Sequence, residues 1–76
     1  MKVAAIDIGA NSVHLVVSRL YSPGVREVLD REREMLRLGD STFREGGIPP
    51  PVLDRAVGVL KRYRAIAEAH GVNAVL

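Results

Sequence analysis

The residues best suited to chemistry lie close to the N-terminus, in the segment DIGANS at positions 7–12. Asp7 follows a short apolar run, and a carboxylate at the end of a buried strand is costly to bury without a partner. A divalent cation such as Mg²⁺, held directly or through water, is one such partner. Gly9 lets a ligand approach the backbone, while the turn N–H groups, the Asn11 amide and the Ser12 hydroxyl are potential donors to phosphate oxygens. The segment therefore predicts a site for Mg²⁺ and phosphate.

The same segment also suits an ordinary β-hairpin. An Asp-x-Gly turn followed by Asn and Ser is common in hairpins, because Gly and Asn tolerate positive φ. The segment is not a Walker loop, since it lacks the lysine of GxxxxGK[ST]. It is not a dinucleotide fingerprint either, because it contains a single Gly and no helix is expected after it. The pattern alone leaves both a phosphate site and a plain turn open.

Two strand-like segments flank this turn. Residues 3–8 form an apolar, β-branched run that ends at Gly9, which fits a strand buried on both faces in the middle of an α/β sheet. Residues 13–20 form a second such run, closed by Ser22-Pro23-Gly24. Two such runs with a short connection predict a β-hairpin, with strands over about 2–8 and 12–20.

The segment 25–38 is ambiguous. Its apolar residues recur at roughly helical spacing, and its Glu and Arg residues are good helix formers. The alternative is a third strand of a meander, with charged residues along an exposed face. Propensity favours the helix, and the spacing leaves the strand open.

A helix is predicted over about 50–70, entered through a proline run and stopped at Gly71. Residues recur at helical spacing at Leu53, Ala56, Val57, Leu60, Arg64 and Ala67, and the apolar face is widened by Val59, Tyr63 and Ile66. Residues 72–76 then read as another buried strand, so the order of elements resembles the opening of a larger α/β domain.

The composition of the chain excludes several classes of protein. The sequence has 76 residues, 47% of them hydrophobic and 26% charged, with a net charge of +2 and no cysteine. This is enough for one globular domain, and it excludes disulfide scaffolds, zinc fingers and thiol catalysis. Basic residues alternate with Glu and form no concentrated patch, which argues against a nucleic-acid partner. No segment resembles a signal peptide or a membrane span, so a soluble, cytoplasmic protein without membrane contact is expected.

The arrangement of strand, Asp-x-Gly turn and second strand resembles the first phosphate loop of the actin, Hsp70 and sugar-kinase superfamily. Within it, DIGANSVHL is most similar to the exopolyphosphatase and guanosine pentaphosphate phosphohydrolase family. The motif of that family is Asp-[Ile/Leu]-Gly-[Ser/Thr]-Asn-[Ser/Thr], followed by a basic residue and Leu. The resemblance continues through residues 33–39, through Gly-Ile-Pro-Pro-Pro at the helix entry and on to Gly71. Ala10 departs from the family's Ser or Thr, so one hydroxyl donor is missing and weaker phosphate binding is expected.

The resemblance implies a fold and a set of site residues. The fold is α/β, the first half of a ribonuclease H-like lobe: a three-stranded antiparallel meander, one helix and a strand parallel to the first. Residues 1–76 would form the N-terminal portion of one ATPase-like lobe, with 25–38 mostly strand against its helix propensity. Asp7 would hold Mg²⁺. The residues expected to bind phosphate are Gly9, Ala10, Asn11, Ser12 and His14.

Two basic side chains, His14 and Arg37, have competing interpretations. His14 occupies the basic position of the family motif, but an exposed strand histidine is an equally good interpretation. Arg37, near the end of the third strand, is interpreted as a solvated charge in preference to a phosphate ligand. Gly39 falls in the same place.

The function that the resemblance implies is Mg²⁺-dependent hydrolysis of phosphoanhydrides, with inorganic polyphosphate or guanosine pentaphosphate as substrate. Members of the family are longer and use a glutamate as base on a water, which is expected outside residues 1–76. No catalytic residue is therefore predicted here, and the chain alone is expected to be inactive, with the remainder of the enzyme or a homodimer partner completing it. The chain's own glutamates are interpreted as solvated charges: Glu27, Glu32, Glu34, Glu45 and Glu68. The alternatives are a sugar or acid kinase of the same superfamily and a non-catalytic phosphate-binding or interaction module.

Overall fold

The computed structural model describes residues 1–37 and 50–76, which form a four-stranded sheet with one helix packed on it. The elements in chain order are β1 (Lys2–Ile8), β2 (Ser12–Tyr21), β3 (Val25–Met35), α1 (Pro50–His70) and β4 (Ala74–Val75). The strand order is β3-β2-β1-β4. The first three strands are antiparallel and β4 is parallel to β1. The predicted fold class is confirmed.

β3 is a strand although its local sequence favours a helix. In a strand, alternate side chains take opposite faces of the sheet, so the run DREREM separates its charges by sign. The acids Asp30, Glu32 and Glu34 pair with the buried β2 residues Val17, Leu15 and Val13. Arg31 and Arg33 take the other face, opposite Val16 and His14. A helix would instead distribute both signs around its circumference.

The acidic row of β3 lies on the face that α1 covers. Arg62 Nη2 of α1 lies 3.1 Å from Glu34 Oε2, and His70 Nε2 lies 3.1 Å from Asp30 Oδ2. Glu34 is therefore an ion-pair partner of the helix and not simply a solvated charge. The resulting contacts tie both the middle and the end of α1 to the edge strand.

The core lies between this face of the sheet and α1. Its buried members are Ala4, Val13, Leu15, Val17, Leu36, Val59, Tyr63 and Ala67. The helix contributes three of them at four-residue spacing, which places one side chain per turn on the sheet. Leu53 and Val57, expected on the apolar face, are 48% and 42% exposed. The buried residues Val59, Tyr63 and Ala67 all belong to the expected face, which is therefore wider than the part of it that packs on the sheet.

β1 lies between β2 and β4, as expected for an interior strand, but it is not buried on both faces within the described residues. Ala4 is fully buried, whereas Ala5 and Asp7 are exposed. Ile8, near the end of the strand, is 59% exposed. The physical reason is that α1 covers one face of the sheet, and Ala5 and Asp7 lie on the other.

The C-terminus of α1 ends in a Schellman motif. Gly71, with φ of 69°, donates its N–H to Glu68 O at 3.0 Å, and Val72 N–H donates to Ala67 O at 3.3 Å. Lys2 Nζ donates to His70 O at 3.0 Å, a favourable place for a cation at a helix C-terminus. No helix among the described residues combines the length and the apolar character needed to cross a membrane.

Candidate phosphate-binding turn

The candidate site is the hairpin turn of residues 9–12, at the junction of β1 and β2. Gly9 N–H donates to Ser12 O at 2.8 Å and closes the turn. No residue of this turn has positive φ, so the expectation that Gly9 and Asn11 serve through left-handed conformations is wrong. A Cβ on Gly9 would lie 3.4 Å from Ser12 O, at the edge of ordinary van der Waals contact. The conformation of the turn therefore does not require glycine. The remaining reason for glycine at position 9 is that it would let a ligand approach the backbone closely.

The end of β3 holds this turn in place. Asn11 O accepts hydrogen bonds from Leu36 N at 2.7 Å and from Arg37 N at 2.9 Å. Arg37 has φ of 54°, in the left-handed region, which costs a non-glycine residue about 1–3 kcal/mol and persists only where the surroundings impose it. Two successive N–H groups converging on one oxygen supply that constraint here.

The sequence did not predict these two hydrogen bonds to Asn11. The sequence interpretation weighed the Arg37 side chain as a solvated charge or a phosphate ligand, whereas it is the Arg37 backbone that positions the turn. Arginine has no particular preference for the left-handed conformation, so the sequence did not predict this backbone geometry. Gly39, placed near the same point by the sequence, lies outside the described residues.

Two backbone donors and one carboxylate are available beside the turn. Within residues 1–37 and 50–76, the N–H groups of Ala10 and Asn11 make no hydrogen bond, and the Asp7 carboxylate makes neither a hydrogen bond nor an ion pair. Gly9 N–H, in contrast, is engaged with Ser12. The turn can thus offer N–H groups to an anion while Asp7 stays free for a cation.

His14 is hydrogen-bonded to the turn. Its Nε2 lies 3.0 Å from Ser12 Oγ, and its side chain is half-buried. Strand pairing places Asp7 on one side of His14 and Arg33 on the other, so an acid, an imidazole and a guanidinium form a row across the face opposite α1. His14 and Arg33 also line a shallow cavity on β2 and β3, together with Arg31.

The residues around Asp7 suit a cation that arrives with phosphate better than a permanent metal centre. Among the described residues, no three His, Cys, Asp or Glu side chains lie close enough together to hold a metal ion. Mg²⁺ is usually held by one or two carboxylates, with phosphate oxygens and waters completing its shell. A single unpaired carboxylate beside free N–H groups fits that arrangement, with Asp7 as the protein ligand.

α1 anchors β2 directly behind the turn. Tyr63 is fully buried, and its hydroxyl donates to Val13 O at 2.9 Å. Burial raises the pKa of the Tyr63 phenol. The neighbouring hydrogen bond to Glu34 raises the pKa of Arg62. Because Val13 follows Ser12 in the chain, the Tyr63 contact fixes the backbone next to the candidate site.

Comparison with known proteins gives consistent matches over the whole chain. No protein-family model matches it. Exopolyphosphatase 1 from Mycobacterium leprae is 28% identical over 71 residues, which cover 93% of this chain and 21% of that protein.

Solved structures give the same result. A crystal structure of an exopolyphosphatase from Cytophaga hutchinsonii is 29% identical, with a TM-score of 0.87, over 100% of this chain and 24% of the other. A Ppx/GppA family member from Aquifex aeolicus is 27% identical, with a TM-score of 0.90, over 99% of this chain and 24% of the other.

The chain thus spans between a fifth and a quarter of the length of these relatives. The resemblance predicted from the sequence is confirmed: over its whole length, the chain is similar to the exopolyphosphatase and guanosine pentaphosphate phosphohydrolase (Ppx/GppA) family.

Proposed function

We propose that this chain supplies the first phosphate-binding turn of a Mg²⁺-dependent phosphoanhydride hydrolase, with inorganic polyphosphate or guanosine pentaphosphate as substrate. The observation that carries the proposal is that, among residues 1–37 and 50–76, the Asp7 carboxylate and the nearby N–H groups of Ala10 and Asn11 have no partner. The similarity to exopolyphosphatases from Mycobacterium leprae and Cytophaga hutchinsonii supports the polyphosphate substrate.

The groups around the turn have complementary tasks in this proposal. The N–H groups of Ala10 and Asn11 and the hydroxyl of Ser12 donate hydrogen bonds to phosphate oxygens, in a turn already fixed by β3 and therefore preorganised. Asp7 holds the cation, directly or through water. When bound, Mg²⁺ neutralises charge on the phosphoryl oxygens during transfer.

The chain is not assigned the general base. A base must lie within hydrogen-bond reach of the attacking water, and Asp7 is committed to the cation. Asp30 and Glu34 are paired with α1 on the opposite face of the sheet. The base is therefore expected from residues outside this chain. Phosphate release from polyphosphate by the 76-residue chain, lost in Asp7→Ala, would contradict this assignment.

Binding is the direct test. The ¹⁵N-labelled chain is titrated with tripolyphosphate, with and without Mg²⁺, and amide shifts are followed by NMR. The largest shifts are expected at Ala10, Asn11 and Ser12, with affinity strengthened by Mg²⁺. Asp7→Asn should remove the Mg²⁺ dependence. Asp54→Asn, which changes an exposed acid on α1, is the matched control and should not. Shifts spread over the sheet, or affinity indifferent to both Mg²⁺ and Asp7, would refute the proposal.

A variant expected to bind phosphate more tightly complements the Asp7→Asn test. Ala10→Ser restores the hydroxyl that the family motif carries at this position. A hydrogen bond to a charged group contributes about 1.5–3 kcal/mol, so tripolyphosphate affinity should rise by roughly 10- to 150-fold if the serine hydroxyl reaches the anion. No gain in Ala10→Ser would show that the anion does not lie against this part of the turn.

A further inference from the structure

We propose that His14 is a positioning residue that orients the Ser12 hydroxyl toward the anion and does not bind phosphate itself. The inference rests on the proposed function of the turn and deepens it. It starts from the hydrogen bond between His14 Nε2 and Ser12 Oγ, 3.0 Å long.

The geometry places the imidazole next to the hydroxyl. Ser12 and His14 are two residues apart on β2, so their side chains share the face opposite α1. β2 is an interior strand, and its pairing sets His14 between Asp7 and Arg33. The imidazole is half-buried in this row. His14 is thus held at a fixed point next to the turn, with Nε2 already committed to Ser12.

The hydrogen-bond inventory decides what the pair can do. A serine hydroxyl has one proton and two lone pairs, and a neutral imidazole has one N–H and one acceptor nitrogen. If Nε2 accepts, the Ser12 proton points at the imidazole and only lone pairs face an anion. If Nε2–H donates, the Ser12 proton is free for a phosphate oxygen. An anion in the turn therefore favours the forms of His14 that carry a proton on Nε2.

This arrangement also separates His14 from a direct phosphate ligand. One N–H donates one strong hydrogen bond, so Nε2 cannot serve Ser12 and a phosphate oxygen equally well. A direct ligand would contribute to affinity independently of Ser12. A positioning residue contributes only while the Ser12 hydroxyl is present.

A double-mutant cycle distinguishes these two roles. Tripolyphosphate affinity in the presence of Mg²⁺ is measured by NMR. The variants are Ser12→Ala, His14→Phe and the double variant. Each single change should weaken binding by about tenfold, and the double variant should be no weaker than Ser12→Ala alone within roughly twofold. His14→Gln, whose amide can reach Ser12, should recover part of the loss.

Two further measurements guard against a purely structural effect. His70→Gln changes the other histidine, far along the chain at the end of α1, and should alter the melting temperature but not affinity. The ¹⁵N spectrum of the His14 ring should move toward the Nε2-protonated tautomer as tripolyphosphate is added, a signature that loss of packing would not produce.

The outcomes separate this inference from the proposed function. If Ser12→Ala weakens binding but His14→Phe does not, or if the two losses add, the positioning role is refuted and the phosphate turn stands. The same holds if the Nδ1-protonated tautomer persists in the bound state. If the unaltered chain does not bind tripolyphosphate, the proposed function and this inference fall together.

Discussion

Replacing Tyr63 by Phe tests how strongly α1 supports the strand behind the turn. The substitution keeps the ring in the core and removes a single atom, the hydroxyl oxygen that lies 2.9 Å from Val13 O. Tyr63 is fully buried, so water cannot readily replace the lost donor from the helix side. The change therefore isolates one hydrogen bond between the helix and β2.

The expected loss follows from the cost of leaving a buried acceptor without its donor, about 1–3 kcal/mol. A chain of 76 residues has a total unfolding free energy of roughly 4–11 kcal/mol at 0.05–0.15 kcal/mol per residue. One hydrogen bond is thus a substantial part of the whole. The melting temperature of Tyr63→Phe should fall by about 4–8 °C for each kcal/mol lost.

The same residue predicts a dependence on alkaline pH. Burial raises the pKa of Tyr63 in the folded state above the value of about 10 for an exposed phenol. Below pH ~10 both states keep the proton, and the contribution of the buried phenol is fully present. As the pH rises further, the unfolded chain releases its proton first, so stability is lost as the pH passes through the folded pKa. Tyr63→Phe should lack this part of the alkaline loss.

Thermal unfolding followed by circular dichroism, at neutral pH and at a series of alkaline values, measures both effects. Tyr21→Phe is the matched control, because Tyr21 is 45% exposed and its hydroxyl lies 3.3 Å from Glu27. The control should stay within about 0.5 kcal/mol of the parent. Equal melting temperatures for Tyr63→Phe and the parent, together with an unchanged alkaline loss, would refute the reasoning about this contact.

Three further substitutions test the local physics of the fold by chemical denaturation. Gly58→Ala, where the new Cβ meets nothing within 4 Å, should stabilise the chain by about 1 kcal/mol; a loss would mean that this part of α1 is not a regular helix. Gly71→Ala should destabilise by about 1–2 kcal/mol, because φ of 69° is unfavourable for alanine; a neutral result would contradict the Schellman end. Glu34→Gln should lower the free energy of unfolding by less than about 1 kcal/mol, since the pair with Arg62 is largely exposed. The loss should shrink at high salt. A larger loss that does not depend on salt would show that Glu34 acts through packing.

The fold was predictable where the local pattern was unambiguous. The hairpin around residues 9–12 and the helix that stops at Gly71 follow from apolar periodicity and turn chemistry, which act over a few residues. β3 was different, because Glu and Arg favour a helix and the pattern allowed both. The family resemblance resolved it, and the pairing of β3 with β2 supplies the physical reason.

The sequence named the residues of the candidate site but not the contacts that they make. Asp7 and the turn were identified from the sequence, and the structure shows both beside one another, with the carboxylate unpaired among the described residues. The N–H of Gly9, expected to be available, closes the turn. Predicting which donors remain free requires knowing every partner of each group, which a one-dimensional pattern does not contain.

The sequence by itself determined the position of the hairpin turn, the extent of the helix and the family that the chain resembles, because these depend on short-range preferences and on motifs that are contiguous. Only the tertiary structure decided that Arg37 adopts a left-handed conformation to hold Asn11, that His14 engages Ser12, and that β3 turns its acids toward α1. Arg37 and β3 depend on how separate elements pack and pair, and the His14 contact depends on side-chain conformations, so none of the three leaves a signature in local composition.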